Sequence, residues 1–173
     1  GDFEDPAARM AARLVRAEDD GLLASVLDSE IAALQQARNS VSDGDIRSFS
    51  TCLRDSRRVF VLGCGHFAAL SSLITLRLNR SGYEAVDLAG NMLHLAEILS
   101  TMTEKDAVWL LAFRRATTLL QDVRDVAAER GATTLAVTDV GGTRIDPPPE
   151  HHILVSRGSA GESQSLVVPM TIA

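Results

Sequence analysis

From Gly21 onward, apolar side chains at Leu22, Leu23, Val26, Leu27, Ile31 and Leu34 recur at intervals of three and four. Asp28, Glu30, Gln35 and Arg38 fall largely on the other side. The spacing predicts a long amphipathic helix from Gly21 to Ala37. Its apolar face has two possible covers, its own sheet or a partner subunit, and the pattern is the same for both. Residues Asn39 to Asp43 break the helix. Ser42 or Asp43 can cap the next one, whose stripe is Ile46, Phe49 and Leu53. Residues 1–20 carry Pro6, acidic side chains and only a short set of helical offsets (Met10, Leu14, Val15), which reads as a short helix or linker.

Beyond Ser56 the texture changes to short apolar runs separated by helical segments. The runs are Val59–Leu62, Ala85–Leu88, Ala107–Ala112, Thr134–Val137 and Ile153–Val155. Between them lie Ala68–Asn79, Met92–Leu99 and Thr118–Arg130. Gly82 and Gly131 follow two of these helices, where a left-handed residue closes the last turn without a Cβ clash. Strand and helix alternate, so the expected architecture is α/β, a parallel sheet covered by helices on both faces. Ligands of such sheets sit beyond the carboxyl ends of the strands. The run Asp146-Pro147-Pro148-Pro149 reads as a rigid loop into the last strand.

Composition narrows the class. A chain of 173 residues that is 46% hydrophobic and 23% charged fits one globular domain with a sizeable core. With one Trp, one Tyr and five Phe, aliphatic side chains must fill that core. A net charge of -6 lacks the basic footprint of a nucleic-acid-binding module. There is no long apolar run for a membrane span and no secretory leader pattern. Cys52 and Cys64 are too few for a disulfide framework, so a reducing cytoplasm is the expected location.

Four features can carry chemistry. Val59-Phe60-Val61-Leu62 runs into Gly63-Cys64-Gly65-His66-Phe67 and then a helix. A glycine turn there aims backbone N–H groups and the positive helix end at whatever lies above the sheet, which suits an anion. Cys64 reads first as a small packing residue, and His66 as a hydrogen-bonding or acid–base candidate. The second feature, Phe113-Arg114-Arg115-Ala116-Thr117-Thr118, places two guanidinium groups and two hydroxyls between a strand and a helix, a combination that holds phosphate or carboxylate. Third, His66, His94, His151 and His152 show no zinc-ligand spacing, so no metal is expected. The fourth is Gly158–Ser165, where Glu162 and Ser163 are candidates for a base, a ligand contact or a cap.

At these residues the chain resembles the SIS (sugar isomerase) domain, and more closely the effector domain of RpiR-type bacterial transcription regulators. The marks are Arg57-Arg58-Val59-Phe60-Val61-Leu62-Gly63-Cys64-Gly65, Asp106-Ala107-Val108, Phe113-Arg114-Arg115, Arg130-Gly131-Ala132 and Leu135-Ala136-Val137-Thr138-Asp139. The resemblance implies a three-layer αβα sandwich with a five-stranded parallel sheet (SIS, flavodoxin-like), preceded by N-terminal helices. It divides the chain into linker and leading helices at 1–55 and an SIS effector-binding domain at 56–173, with the last helix cut short. It further implies a homodimer, no cofactor, and a small carbohydrate-derived effector such as a phosphosugar. Contact with DNA would come only through a helix-turn-helix domain for which this chain has no room. The ligand-binding set is then Gly63, Cys64, Gly65, His66, Phe67, Phe113, Arg114, Arg115, Thr117, Thr118, Glu162 and Ser163.

The chain also departs from the family. SIS domains that bind sugar phosphates usually read Gly-x-Gly-x-Ser in the first loop, and here Phe67 stands at the serine. The second loop typically reads Ser-x-Ser-Gly-x-Thr, and Ala112-Phe113-Arg114-Arg115-Ala116-Thr117 keeps only the threonine. Either Arg114 or Arg115 replaces the missing hydroxyls, or the ligand is a sugar acid, an unphosphorylated polyol derivative, or none. The reading is therefore a non-enzymatic sensor. The alternatives are an aldose–ketose phosphosugar isomerase, whose base would have to be Glu162, His66, His151 or His152, and a degenerate domain kept for dimerisation.

Overall fold

In a computed structural model, which describes residues 11, 21–113, 117–142, 144–157 and 165–173, five strands pair in the order β2-β1-β3-β4-β5, and every pairing is parallel. The strands are β1 (Val59–Gly63), β2 (Ala85–Asp87), β3 (Ala107–Ala112), β4 (Thr133–Asp139) and β5 (His151–Val155). Parallel strands need crossovers. They are supplied by α3 (Phe67–Arg80), by a 3-10 turn (Ala89–His94) running into α4 (Leu95–Ser100), and by α5 (Thr118–Arg130). Helix α2 (Asp43–Asp55) precedes β1. The result is the α/β sandwich of three layers that the strand–helix alternation predicts.

β1 and β3 are buried throughout, as strands covered on both faces must be. On one face Phe60, Leu62, Val108, Leu110 and Ala136 meet Leu99 of α4 and Leu120, Val123 and Ala127 of α5. Each fully buried Leu or Phe there contributes about 1.5–3 kcal/mol relative to exposure. On the other face Phe49 of α2 meets the edge of Trp109, with ring centroids 5.9 Å apart. The β4–β5 connection carries no helix among its described residues. Ile145 enters the core instead, and Arg124 of α5 donates to the carbonyls of Pro147 and Pro148, each at 2.9 Å.

The amino end of the sheet is held by one clasp. The Asp106 carboxylate, buried at the start of β3, accepts Arg57 Nε at 2.9 Å and Nη2 at 2.7 Å, and the Thr103 N–H at 2.9 Å. Burial works against its charge, but the Arg57 and Thr103 hydrogen bonds outweigh it and hold the carboxyl below its ordinary value. This gives a physical reason for the Arg57-Arg58 and Asp106-Ala107-Val108 marks.

Local signals behave as the sequence predicts at several ends. Ser42 caps α2 in a reciprocal box with Asp45, and Gly131 closes α5 in the left-handed conformation. The single helix expected over Met92–Leu99 is not formed. Asn91 has φ -123°, its side chain donates to the Asp87 carbonyl, and the segment is a 3-10 turn before α4, leaving Leu93 exposed.

The chain divides into two compact units, Val41–Val155 and a second one that joins residues up to Ser40 with Ser156–Ala173. In the second unit α1 (Leu22–Ser40) packs with α6 (Val167–Ile172). The Ser156 hydroxyl donates to Gln36 Oε1 at 2.9 Å, and the Ser165 hydroxyl bonds Glu30. α1 buries its small residues Ala33 and Ala37, while Leu22, Leu23, Val26, Leu27 and Ile31 are exposed.

Candidate functional site

In the order 2-1-3-4-5 the connections from β1 and β3 leave in opposite directions along the sheet, so a crevice opens at their carboxyl ends. Gly63, the last residue of β1, is in register with Leu111 of β3. The two loops that the sequence singles out therefore emerge side by side.

The first loop is glycine-dependent at two points. A Cβ on Gly63 would lie 2.1 Å from the Phe67 carbonyl oxygen, so the strand and the first residue of α3 approach too closely for any side chain. Gly65 has φ +60°, a conformation that costs an L-residue about 1–2 kcal/mol. The turn closes with Phe67 N–H donating to the Cys64 carbonyl at 3.1 Å. His66 stands at the N-cap of α3, exposed, with no side-chain cap bond, and the Ala68 N–H donates back to the Gly65 carbonyl at 3.2 Å.

The second loop is anchored by Thr117, whose hydroxyl accepts the Leu120 N–H at 3.3 Å and caps α5, with Thr118 as the first helical residue. Two contacts join the loops. Cys64 Sγ lies 3.3 Å from Thr117 Oγ1, and the rings of Phe67 and Phe113 lie 4.1 Å apart at 33°. Gly63, Cys64, Gly65, His66, Phe67, Phe113, Thr117 and Thr118 are thus gathered at one place. Arg114, Arg115, Glu162 and Ser163 lie outside the described residues.

One positioning residue is missed by the sequence reading. Asp87, at the end of β2, accepts the Ser71 hydroxyl at 2.8 Å, the Ser72 hydroxyl and the Ala89 N–H. Ser71 also donates to the Val61 carbonyl at 3.0 Å, so α3 is pinned to β1 and β2 just behind the crevice. The available signal is the serine doublet interrupting an otherwise apolar helix.

The histidines separate. His151 and His152 begin β5, at the amino end of the parallel sheet and so at the far end from the crevice. His152 Nε2 is 2.7 Å from the Thr138 hydroxyl, and burial pushes its pKa down, toward the neutral ring. His94 is exposed beside Glu97. Among the described residues no three His, Cys, Asp or Glu side chains gather as metal ligands. An open cleft of about 540 Å³, lined by Arg47, Thr51, Lys105, Thr133 and His151, also lies at the amino end, away from the loops.

This sheet order with paired loops at the switch point defines a doubly wound α/β domain. The sequence model of the SIS domain family matches residues 52–171, and the chain belongs to that family. No curated protein matches it. Among solved structures it is similar to the sugar isomerase domain of an RpiR transcription factor from Sphaerobacter thermophilus (22% identity, 87% of this chain and 84% of that one, TM-score 0.72). It is also similar to Vibrio vulnificus NanR complexed with ManNAc-6P (14%, 94% and 61%, 0.71). Phosphoheptose isomerase GmhA from Neisseria gonorrhoeae gives 13%, 86% and 90%, and 0.70. At these identities the likeness is one of fold.

Proposed function

We propose that the chain is the effector-sensing domain of an RpiR-type transcription regulator acting in the cytoplasm on carbohydrate-metabolism genes. It binds a phosphosugar or another anionic carbohydrate derivative between the Gly63–Phe67 and Phe113–Thr118 loops. It works as a homodimer, and DNA is contacted by a helix-turn-helix domain outside this chain. The observation that carries the reading is the joining of the two loops through Cys64 and Thr117 beneath two helix N-termini. Such an arrangement turns the positive ends of two helix dipoles toward an anion.

The regulator NanR, complexed with ManNAc-6P, shares this fold, which supports a sugar phosphate as the ligand class. Arg114 and Arg115 take the part of the serines that the loops lack, pairing with phosphate or carboxylate. Glu162 and Ser163 are assigned to the same ligand. Sensing is favoured over isomerisation because the loops lack the usual serines and two of the four candidate bases, His151 and His152, begin β5 at the other end of the sheet. His66 and Glu162 are the residues through which the alternative, isomerisation, would have to work. A sensor requires only that its ligand prefer one arrangement of the dimer.

Calorimetric titration with N-acetylmannosamine 6-phosphate and related sugar phosphates tests the proposal. Saturable binding that Arg114→Ala plus Arg115→Ala abolishes is the expected result. Unchanged anion binding by that double variant rules out the assigned site.

A further inference from the structure

α1 is built the wrong way round for a helix that serves only its own chain. Its small residues, Ala33 and Ala37, are buried, and Ser25 and Ser29 are half-buried. Its large ones, Leu22, Leu23, Val26, Leu27 and Ile31, are 48–71% exposed and follow the i, i+4 spacing of one continuous helix face. α6, packed against α1, exposes Leu166, Val167 and Met170 while burying Val168 and Pro169. Eight large apolar side chains about half exposed present on the order of 700 Å² to water, above the roughly 300–600 Å² of the largest patch on an ordinary monomer.

We propose that the exposed α1 stripe, continued by α6, is the surface on which two copies of this chain associate. The inference rests on the dimer named above and assigns it to one face. A second copy is favoured over an unrelated partner on two grounds. The patch area is close to the about 800 Å² per partner of a standard stable interface. A single apolar helix stripe is also self-complementary about a twofold axis, each stripe covering its own equivalent. The stripe is flanked on α1 by Asp28, Gln35 and Arg38, the polar rim such an interface keeps in water. The same spacing that reads as a core stripe in the sequence is then satisfied between chains.

Sedimentation analysis of the chain, alone and as the Leu23→Glu plus Leu27→Glu variant, tests the assignment. The unaltered chain is expected at twice its 18.5 kDa mass. The double variant is expected as a monomer, with a dissociation constant raised on the order of 100-fold or more by charges placed in the buried stripe. Leu154→Glu, at an exposed apolar position on edge strand β5, is expected to remain dimeric. Hydrogen exchange of the unaltered chain gives a reading free of substitution, since protection of the α1 amides should fall on dilution. A monomeric unaltered chain overturns the dimer itself. A dimer that survives Leu23→Glu plus Leu27→Glu, or that Leu154→Glu dissolves instead, overturns the assigned face and leaves the dimer standing. Ligand binding is read separately, by the titration above.

Discussion

The Cys64 sulfur lies 3.3 Å from the Thr117 hydroxyl, although 53 positions separate the two residues in the chain. That contact ties the turn after β1 to the cap of α5. Thr117 therefore has two duties, and both are measurable. Thr117→Val removes the cap, worth about 1 kcal/mol, and thermal unfolding is expected about 2–4 °C lower. The same variant bears on ligand binding. Its affinity for a sugar phosphate is expected to fall by more than the stability loss explains, because the unfolded fraction remains negligible at 25 °C.

Gly63→Ala places a methyl group 2.1 Å from the Phe67 carbonyl oxygen, a contact that backbone must relieve. Overpacking of this kind costs about 1–3 kcal/mol. The relief displaces the first turn of α3, so ligand affinity is expected to drop together with the denaturation midpoint. A variant with unchanged midpoint and affinity would contradict the close approach.

Phe67→Ser places a hydroxyl at the start of α3 and removes the stack on Phe113. The loss of the ring pair costs about 0.5–1.5 kcal/mol beyond area burial. The new hydroxyl is expected to favour a sugar phosphate over the corresponding sugar acid, which paired titrations of the two ligands would resolve.

The Asp106 clasp sets a pH dependence. Its carboxyl is held below 3.8 in the folded chain, so its contribution is complete above that value and is lost as pH falls through the lower folded value. Asp106→Asn leaves the half-exposed Arg57 facing a neutral amide and is expected to lower the unfolding temperature at pH 7. In urea melts the gap between the two proteins should stay level from pH 7 to 5 and close below pH 4.

Much of the fold is legible along the chain because its signals are local. The alternation after Ser56, the Ser42–Asp45 box and the glycine after α5 each act within a few residues. That the Gly63 and Phe113 loops both lie at strand carboxyl ends is legible as well; that β1 and β3 are neighbours, which joins the two loops, is not. What the sequence does not carry is set at a distance. The Phe67–Phe113 stack and the hold of Asp87 on Ser71 and Ser72 depend on register between elements. The Asn91 break is local but weak, a single side-chain bond to the Asp87 carbonyl overriding helical spacing. The α1 stripe shows a different limit, because an apolar face looks the same whether its cover is its own chain or another one.

The most direct measurement is calorimetric titration of the unaltered chain with a panel of sugar phosphates and sugar acids, with each mixture then followed by NMR for isomer interconversion. The account predicts saturable binding of at least one anionic sugar derivative, about one per chain, with the ligand recovered unchanged. Silence across the panel, or conversion of a sugar phosphate into its isomer, would contradict it.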